Sequence, residues 1–358
     1  MKRKKILIVE NLMHFWQVDD LYKLFSIHFD CDVLIPKKFR HISNLKKNVI
    51  SSNLRYFIYF HILLIGRKYD YIYLCSCPEY PDYPNNFKNF LLYCQQLVIF
   101  LVLILFFRKK IIPHVRGLHR IFPDIYKDNV TKFFVNLRYR IFLLLDLFTC
   151  ENKNLTEIFK KKFKKKKYKV TTVYTRYYDE NIIYEKKLNS KFTIGLIGGI
   201  DPIRRDYSLI YKNFFNQKEQ IKFIFLGKFY ENLSENVIKK FQGLDFEYKQ
   251  EFLSEEDFIK MGRKCDVLLS LNKKEKFYGE YKGTGSYGDA MFLQKPLLIP
   301  SFVDPIKEFK DFCNYYDDII QLKLLINKFI NNQSIPDKKF NNFEIRKCSE
   351  KIISELNL

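Results

Sequence analysis

KFTIGLIGGIDPIRRDY, residues 191 to 207, is the stretch on which the fold turns. Phe192 to Ile197 is a short apolar run that ends on Gly198-Gly199, and a segment of helical period begins near residue 207. A buried strand opening through glycines toward a helix is the first piece of a parallel α/β sheet. The alternation continues with strands expected at 221–227 (IKFIFLG), 246–252 (FEYKQEF), 265–271 (CDVLLSL) and 296–300 (PLLIP). Helices are expected near 207–216, 234–242 and 286–293, and Ser254 with Asp257 forms a capping box that opens one more. Two helices near 317–331 and 341–356 finish the chain.

Upstream, the same grammar runs once already. Strands are expected at 5–9 (KILIV), 31–36 (CDVLIP), 69–76 (YDYIYLCS), 111–115 (IIPHV), in LLLDLFTC ending at 150, and at 169–174 (KVTTVY). Helices are expected at 15–29, 54–65, 90–107 and 127–142. Residues 174–190 have no clear period and read as a linker. The chain is therefore two consecutive α/β halves, as its 358 residues suggest, since a single core rarely grows that large.

Composition bounds the partners. With 47% apolar residues the chain is globular, and its formal charge of +22 favours something anionic: nucleic acid, a bilayer surface or a phosphorylated small molecule. A compositional bias toward Lys, Asn, Ile, Tyr and Phe is the alternative source of that charge. The eight cysteines form no framework, and no secretory signal precedes KILIV, which points to a reduced, cytoplasmic protein. No zinc finger or RNA-binding motif accompanies the lysines, so nucleic acid is not the expected partner.

The run FLLYCQQLVIFLVLILFF at 90–107 is interrupted by Gln95 and Gln96, and a spanning helix needs about 20 apolar residues. It reads as a buried or membrane-facing helix of a soluble domain, with Arg108, Lys109 and Lys110 beside it. The lysine-rich run at 160–169 reads either as a patch for anionic head groups or as a solvated helix end.

Glycine is scarce, with 12 in the chain, yet GEYKGTGSYG at 279–288 holds four. Ligands of doubly wound sheets bind outside the carboxyl ends of strands. Two loops leave strands in that direction here, GGIDPIRRDY at 198–207 and NKKEKFYGEYKGTGSYGDA at 272–290. If they meet, the first brings Gly198, Gly199, Arg204 and Arg205, and the second brings Gly283, Thr284, Gly285 and Ser286 at a helix N-terminus. Unsatisfied N–H groups, a positive helix end and a guanidinium suit a diphosphate, which Arg204 or Arg205 would stabilise as it leaves. Asp289, in the first turn, would accept the hydroxyls of a ribose. Neither G-x-G-x-x-G after the first strand nor a P-loop is present.

IGGIDPIRRDY followed by KGTGSYGDAMFLQKPLLIP resembles the donor-binding half of the GT-B-fold glycosyltransferases, in particular the large retaining "group 1" family. Gly198 and Arg204 match that family's glycine and basic residue, and Asp289-Ala290-Met291 with Lys295-Pro296 match the end of its glutamate–x7–glutamate element. The second acidic position is Asp289 here, and Tyr281 stands where the first is expected, with Glu280 one step away.

The resemblance implies two Rossmann-like doubly wound domains facing a central cleft, with the C-terminal helices packing back on the first. The expected bounds are 1–180 for an acceptor-binding domain, 190–335 for a nucleotide-sugar-binding domain and 336–358 for the returning helix. It implies retention, with Glu280 at the donor sugar, Arg204 at the diphosphate, and Lys282 among the donor-binding residues. The donor is a nucleotide diphosphate sugar, and no cofactor or metal is expected. Asp30-Cys31-Asp32 is formally a D-x-D, but it belongs to a different architecture and reads as chance.

Acceptor contacts are expected from loops of the first half, at Asn11, His14, Arg116 and His119. The acceptor would be a glycan or lipid-linked glycan of surface polysaccharide, lipopolysaccharide or capsule synthesis, reached from the inner face of the plasma membrane. Two rival readings share the architecture, a sugar-nucleotide epimerase and a non-catalytic subunit or glycan-binding partner.

Overall fold

The computed structural model describes residues 3–10, 15–37, 40, 45, 48–52, 58–75, 87–180, 191–217, 219–251, 253–274, 277–331 and 340–358. These residues form two compact units. The first comprises Met1–Thr175, Tyr281–Gly283 and Ile345–Leu358, and the second Arg176–Glu280 and Thr284–Glu344.

In the first unit, β1 (Lys5–Val9), α1 (Phe15–Ser26), β2 (Asp30–Pro36), β3 (Val49–Ser52), α2 (Ile58–Ile65), β4 (Tyr71–Leu74), α3 (Phe87–Phe107), β5 (Ile111–Val115), α4 (Asn129–Phe142), β6 (Leu147–Cys150), α5 (Lys153–Lys162) and β7 (Lys169–Thr172) follow one another. The parallel sheet has the order β3-β2-β1-β4-β5-β6-β7. Strands such as Lys5–Val9 and Ile111–Val115 are buried almost throughout, as sheets covered on both faces require. Because parallel crossovers are right-handed, the reversal of strand order between β1 and β4 divides the helices between the two faces. On one face α2, α3 and α4 are linked through Tyr59–Phe100 and Phe100–Phe142 ring contacts, with centroids 5.8 and 6.2 Å apart.

The second unit runs β8 (Phe192–Ile197), α6 (Ser208–Tyr211), β9 (Ile221–Leu226), α7 (Glu231–Phe241), β10 (Asp245–Glu247), α8 (Glu255–Arg263), β11 (Val267–Leu269), α9 (Ser286–Leu293), β12 (Leu297–Pro300), β13 (Cys313–Tyr316) and α10 (Ile319–Ile330). Its parallel sheet has the order β10-β9-β8-β11-β12-β13, so the reversal falls between β8 and β11. Ser254 caps α8 as expected, accepting from the Asp257 N–H at 3.1 Å. The last helix, α11 (Ile345–Leu356), belongs to the first unit, where the Ser349 hydroxyl donates to the Leu24 carbonyl at 2.8 Å and Lys169 reaches the Leu356 carbonyl at 3.4 Å.

Three expectations about elements need correction. The helix expected at 207–216 closes after Tyr211, because Asn213, Phe214, Phe215 and Asn216 hold a helix poorly and Phe214 is buried. Among its described residues FEYKQEF contributes only Phe246 and Glu247, to the short strand β10. Strands β3 and β13 had not been expected, since VISS and CNYY carry polar residues that hide a short strand's pattern, and pairing with β2 and β12 supplies their order.

Candidate functional site

The glycines after β8 are demanded by geometry. Gly198 has φ +87°, and a Cβ there would sit 1.8 Å from Arg205 Nη2, so the turn needs glycine both for its backbone and for the guanidinium beside it. A Cβ on Gly227, after β9, would lie 2.1 Å from the Gly198 carbonyl oxygen, which packs the two strand ends together.

The loops after β8 and β11 meet. Arg205 and Asn272 form an antiparallel bridge, the Asp206 N–H donates to the Leu271 carbonyl at 2.8 Å, and the Lys273 N–H donates to the Arg204 carbonyl at 3.0 Å. Arg204 and Arg205 have different situations in this junction. Arg204 is 39% exposed, and its Nε donates to Asp201 Oδ2 at 2.7 Å. Burial opposes ionisation of Asp201, but the Arg204 hydrogen bond and the Ile203 N–H prevail and hold its carboxyl below the ordinary range. Arg205 is buried, with its Nε on the Ile197 carbonyl at 3.2 Å.

A hydroxyl chain closes the N-terminus of α9. Ser270, at the end of β11, bonds Asn272 and lies 3.0 Å from the Ser286 hydroxyl, which in turn lies 3.1 Å from Thr284 Oγ1. Ser286 and Thr284 are buried. Their hydroxyls, expected to serve a phosphate, are joined to one another at the start of the helix. Asn272 is 5% exposed, and its Nδ2 is buried with no hydrogen-bond partner among the described residues.

Three glycines of 279–288 differ in their surroundings. Gly279, at φ +78°, leaves room for the Phe302 carbonyl oxygen, which a Cβ would approach to 1.8 Å. Lys282 and Gly283 belong to the first unit: Lys282 bridges Gly117, and a Cβ on Gly283 would meet Glu151 Oε2 at 2.9 Å. Gly285 is exposed, has an ordinary helical backbone (φ −66°), and a Cβ there would meet no described atom within 4 Å. Nothing described in the chain asks for glycine at this position.

Asp289 sits in the first turn of α9 with its side chain 21% exposed, 3.8 Å from Arg176 Nη1. Burial pushes its carboxyl up to about 6, against the pull of Arg176 and Arg205. Arg176 Cζ lies over the Phe292 ring, 3.3 Å from its centroid, and the guanidinium also pairs with Glu255. Nothing in the sequence singled out Arg176, which falls in a segment without period. Asn272 was also missed, although its place directly after a buried strand was a usable signal. Glu280 is exposed in the second unit.

At the carboxyl edge of the first sheet, Glu10 follows β1, Cys75 follows β4, and Arg116 follows β5, all in the same unit. Arg116 Nη2 lies 3.9 Å from Glu151 Oε1. His119, expected to meet an acceptor, is 4% exposed, and its ring lies so close to Gly117 that a Cβ there would be 2.6 Å from it. Asn11 and His14 lie outside the described residues. Asp32 of the D-x-D accepts from Tyr69 at 2.8 Å, and no cluster of metal-ligating side chains occurs among the described residues.

No protein family and no curated protein matches the sequence. Solved structures do. Anabaena Alr3699/HepE in complex with UDP-glucose superposes with a TM-score of 0.65 at 12% identity, covering 99% of this chain and 100% of that one. The lipopolysaccharide outer core galactosyltransferase WaaB, in its apo form, gives 0.58 at 11% identity over 100% of both chains. An α,α-trehalose-phosphate synthase (UDP-forming) from Burkholderia vietnamiensis gives 0.58 at 7% identity, over 100% of this chain and 99% of that one. With two parallel-sheet α/β units, each reversing its strand order midway, this chain has the GT-B fold.

Proposed function

We propose that the protein is a glycosyltransferase that takes its sugar from a UDP-sugar. One observation carries this reading: the open backbone at Gly285, where the N-terminus of α9 adjoins the joined loops after β8 and β11. A glycine that no described neighbour requires, at a helix start beside a buried amide donor without a partner, suits close approach of phosphate oxygens. The likeness to a UDP-glucose complex supports UDP as the nucleotide.

In this reading the α9 N-terminus and Arg204 bind the diphosphate, Asn272 donates to it or to the sugar, and Asp289 accepts from the ribose. As the bond between the sugar C1 and the β-phosphate oxygen breaks, negative charge grows on the diphosphate, where Arg204 and the backbone N–H groups are already oriented. The acceptor hydroxyl oxygen forms the new bond to C1 as its proton passes to the departing diphosphate oxygen. Glu280 contacts the donor sugar, and the acceptor is a glycan or lipid-linked glycan of surface polysaccharide, lipopolysaccharide or capsule synthesis, received near Arg116. Retention follows from the resemblance in 279–300.

The test is incubation with a panel of UDP-sugars, following UDP release alone and with lipid-linked glycan acceptors. Slow UDP release, reduced at least tenfold in Arg204→Ala, is expected. UDP binding without any release would favour the non-catalytic reading, and conversion of one UDP-sugar into another would favour an epimerase.

A further inference from the structure

The sugar-transfer site leaves the most apolar part of the surface unexplained. From Leu97 to Phe107 helix α3 carries only apolar residues. One side, Leu97, Phe100, Leu103, Ile104 and Phe107, is buried on the sheet. Its opposite side exposes Val98 (60%), Leu105 (70%) and Phe106 (65%), with Leu101 and Val102 half-buried between them. The neighbouring helices extend this side, with Phe60 and Leu64 exposed on α2 and Val130, Phe133 and Leu137 on α4. Scattered exposed apolar residues are ordinary, but three adjacent helices presenting them on one face are not.

Charge within these three helices is equally one-sided, with Asp128 standing just ahead of α4 as its cap. Helices α2, α3 and α4 contain no Asp or Glu, whereas α7 and α8, also at a surface, open on Glu231 and on Glu255-Glu256-Asp257. Around the apolar residues stand Arg67, Lys68, Arg108, Lys109, Lys132 and Arg140, all exposed, and none forms an ion pair among the described residues. Elsewhere lysines do find carboxylates, as Lys162 with Asp124, Lys165 with Asp146 and Lys222 with Glu247. Among the described residues no helix is long and apolar enough to cross a membrane.

We propose that the outer face of α2, α3 and α4 docks on a bilayer containing anionic phospholipid, with the apolar side chains at the acyl boundary and the unpaired basic residues among the head groups. An apolar face ringed by cations is complementary to such a surface and lies in its plane without spanning it. A second copy of the chain is a poor occupant, because it would bring one basic ring against another. This inference goes beyond the transferase reading and stands without it. It also locates docking on the helical layer and not on the lysine run 160–169.

The full chain is sedimented with vesicles of phosphatidylcholine alone and of phosphatidylcholine with phosphatidylglycerol. Wild type is expected to bind the anionic vesicles. Leu105→Gln/Phe106→Gln and Phe133→Gln/Leu137→Gln, which alter exposed side chains and leave the core intact, are each expected to weaken binding at least tenfold with unchanged circular dichroism. Arg108→Gln/Lys109→Gln is expected to lessen its salt dependence. Lys161→Gln/Lys164→Gln/Lys166→Gln/Lys167→Gln is expected to bind as wild type does. Failure of wild type to bind, loss only with the lysine-run variant, or ultracentrifugation showing that the α3 variant dissolves an oligomer would each overturn the proposal. UDP titration of the same samples separates this result from the transferase reading, since vesicle binding without UDP binding removes that reading alone.

Discussion

Arg205 and Asn272 face one another across an antiparallel bridge, and that pairing ties the loop after β8 to the loop after β11 at the point where the strand order of the second sheet reverses. Ligands of open α/β sheets bind at such reversals. Here the bridge also places beside the start of α9 a buried amide, Asn272 Nδ2, that has no partner among the described residues.

A substitution at Gly285 is expected to separate ligand binding from folding. Its backbone is one that alanine adopts freely, and an added Cβ meets no described atom, so Gly285→Ala is expected to change unfolding free energy by less than about 1 kcal/mol. UDP affinity in the same variant is expected to fall about tenfold or more, corresponding to about 1.4 kcal/mol. Denaturant unfolding and calorimetry on one preparation test both halves.

Asn272→Ala makes a similar division. Because Nδ2 bonds nothing among the described residues, its removal is expected to cost no more than about 1 kcal/mol of stability, for the lost acceptance from Ser270. Loss of UDP-sugar affinity clearly larger than that is the expected result. A large stability loss with unchanged affinity would make Asn272 a purely structural residue.

Asp289 gives a signed pH effect. Its folded value of about 6 lies above the ordinary 3.8, so as pH rises the unfolded chain gives up this proton first and stability is lost up to about pH 6. At about 1.4 kcal/mol per unit, Asp289→Asn is expected to gain roughly 2–3 kcal/mol relative to wild type between acid and neutral pH. Urea unfolding of both proteins at a series of pH values measures it, and UDP affinity in the variant is expected to drop throughout.

His114 acts in the opposite sense. It is fully buried, 3.0 Å from Thr149 Oγ1 and 3.3 Å from Gln17 Nε2, and burial with Arg116 lowers its imidazole to about 3. As pH falls below the ordinary 6.5, the unfolded chain takes up this proton and the folded one does not, so stability falls by about 1.4 kcal/mol per unit. In His114→Gln that slope is expected to be absent between pH 6 and 4, measured as the difference from wild type.

The two-sheet architecture was legible because strands such as KILIV, IIPHV, FTIGLI and IKFIFL are covered on both faces and so read as unbroken apolar runs. Short edge strands were not, since VISS and CNYY owe their order to pairing. Likewise Gly198 and Asp289 could be chosen from their places after a strand and in a first helical turn. The different situations of Arg204 and Arg205 could not, because burial of one guanidinium depends on the room left by Gly198. Sequence also could not sort Gly279, Gly283 and Gly285, since a Cβ on either of the first two would meet described atoms and one on Gly285 would meet none.

The central claim is that a nucleotide diphosphate lies against the start of α9. Calorimetric titration of UDP into the intact chain and into Arg204→Ala tests it most directly. Saturable one-to-one binding in wild type, weakened at least tenfold in the variant, is the result this account requires. Absence of binding to UDP and to every other nucleoside diphosphate, or equal binding by wild type, Arg204→Ala and Gly285→Ala, would contradict it.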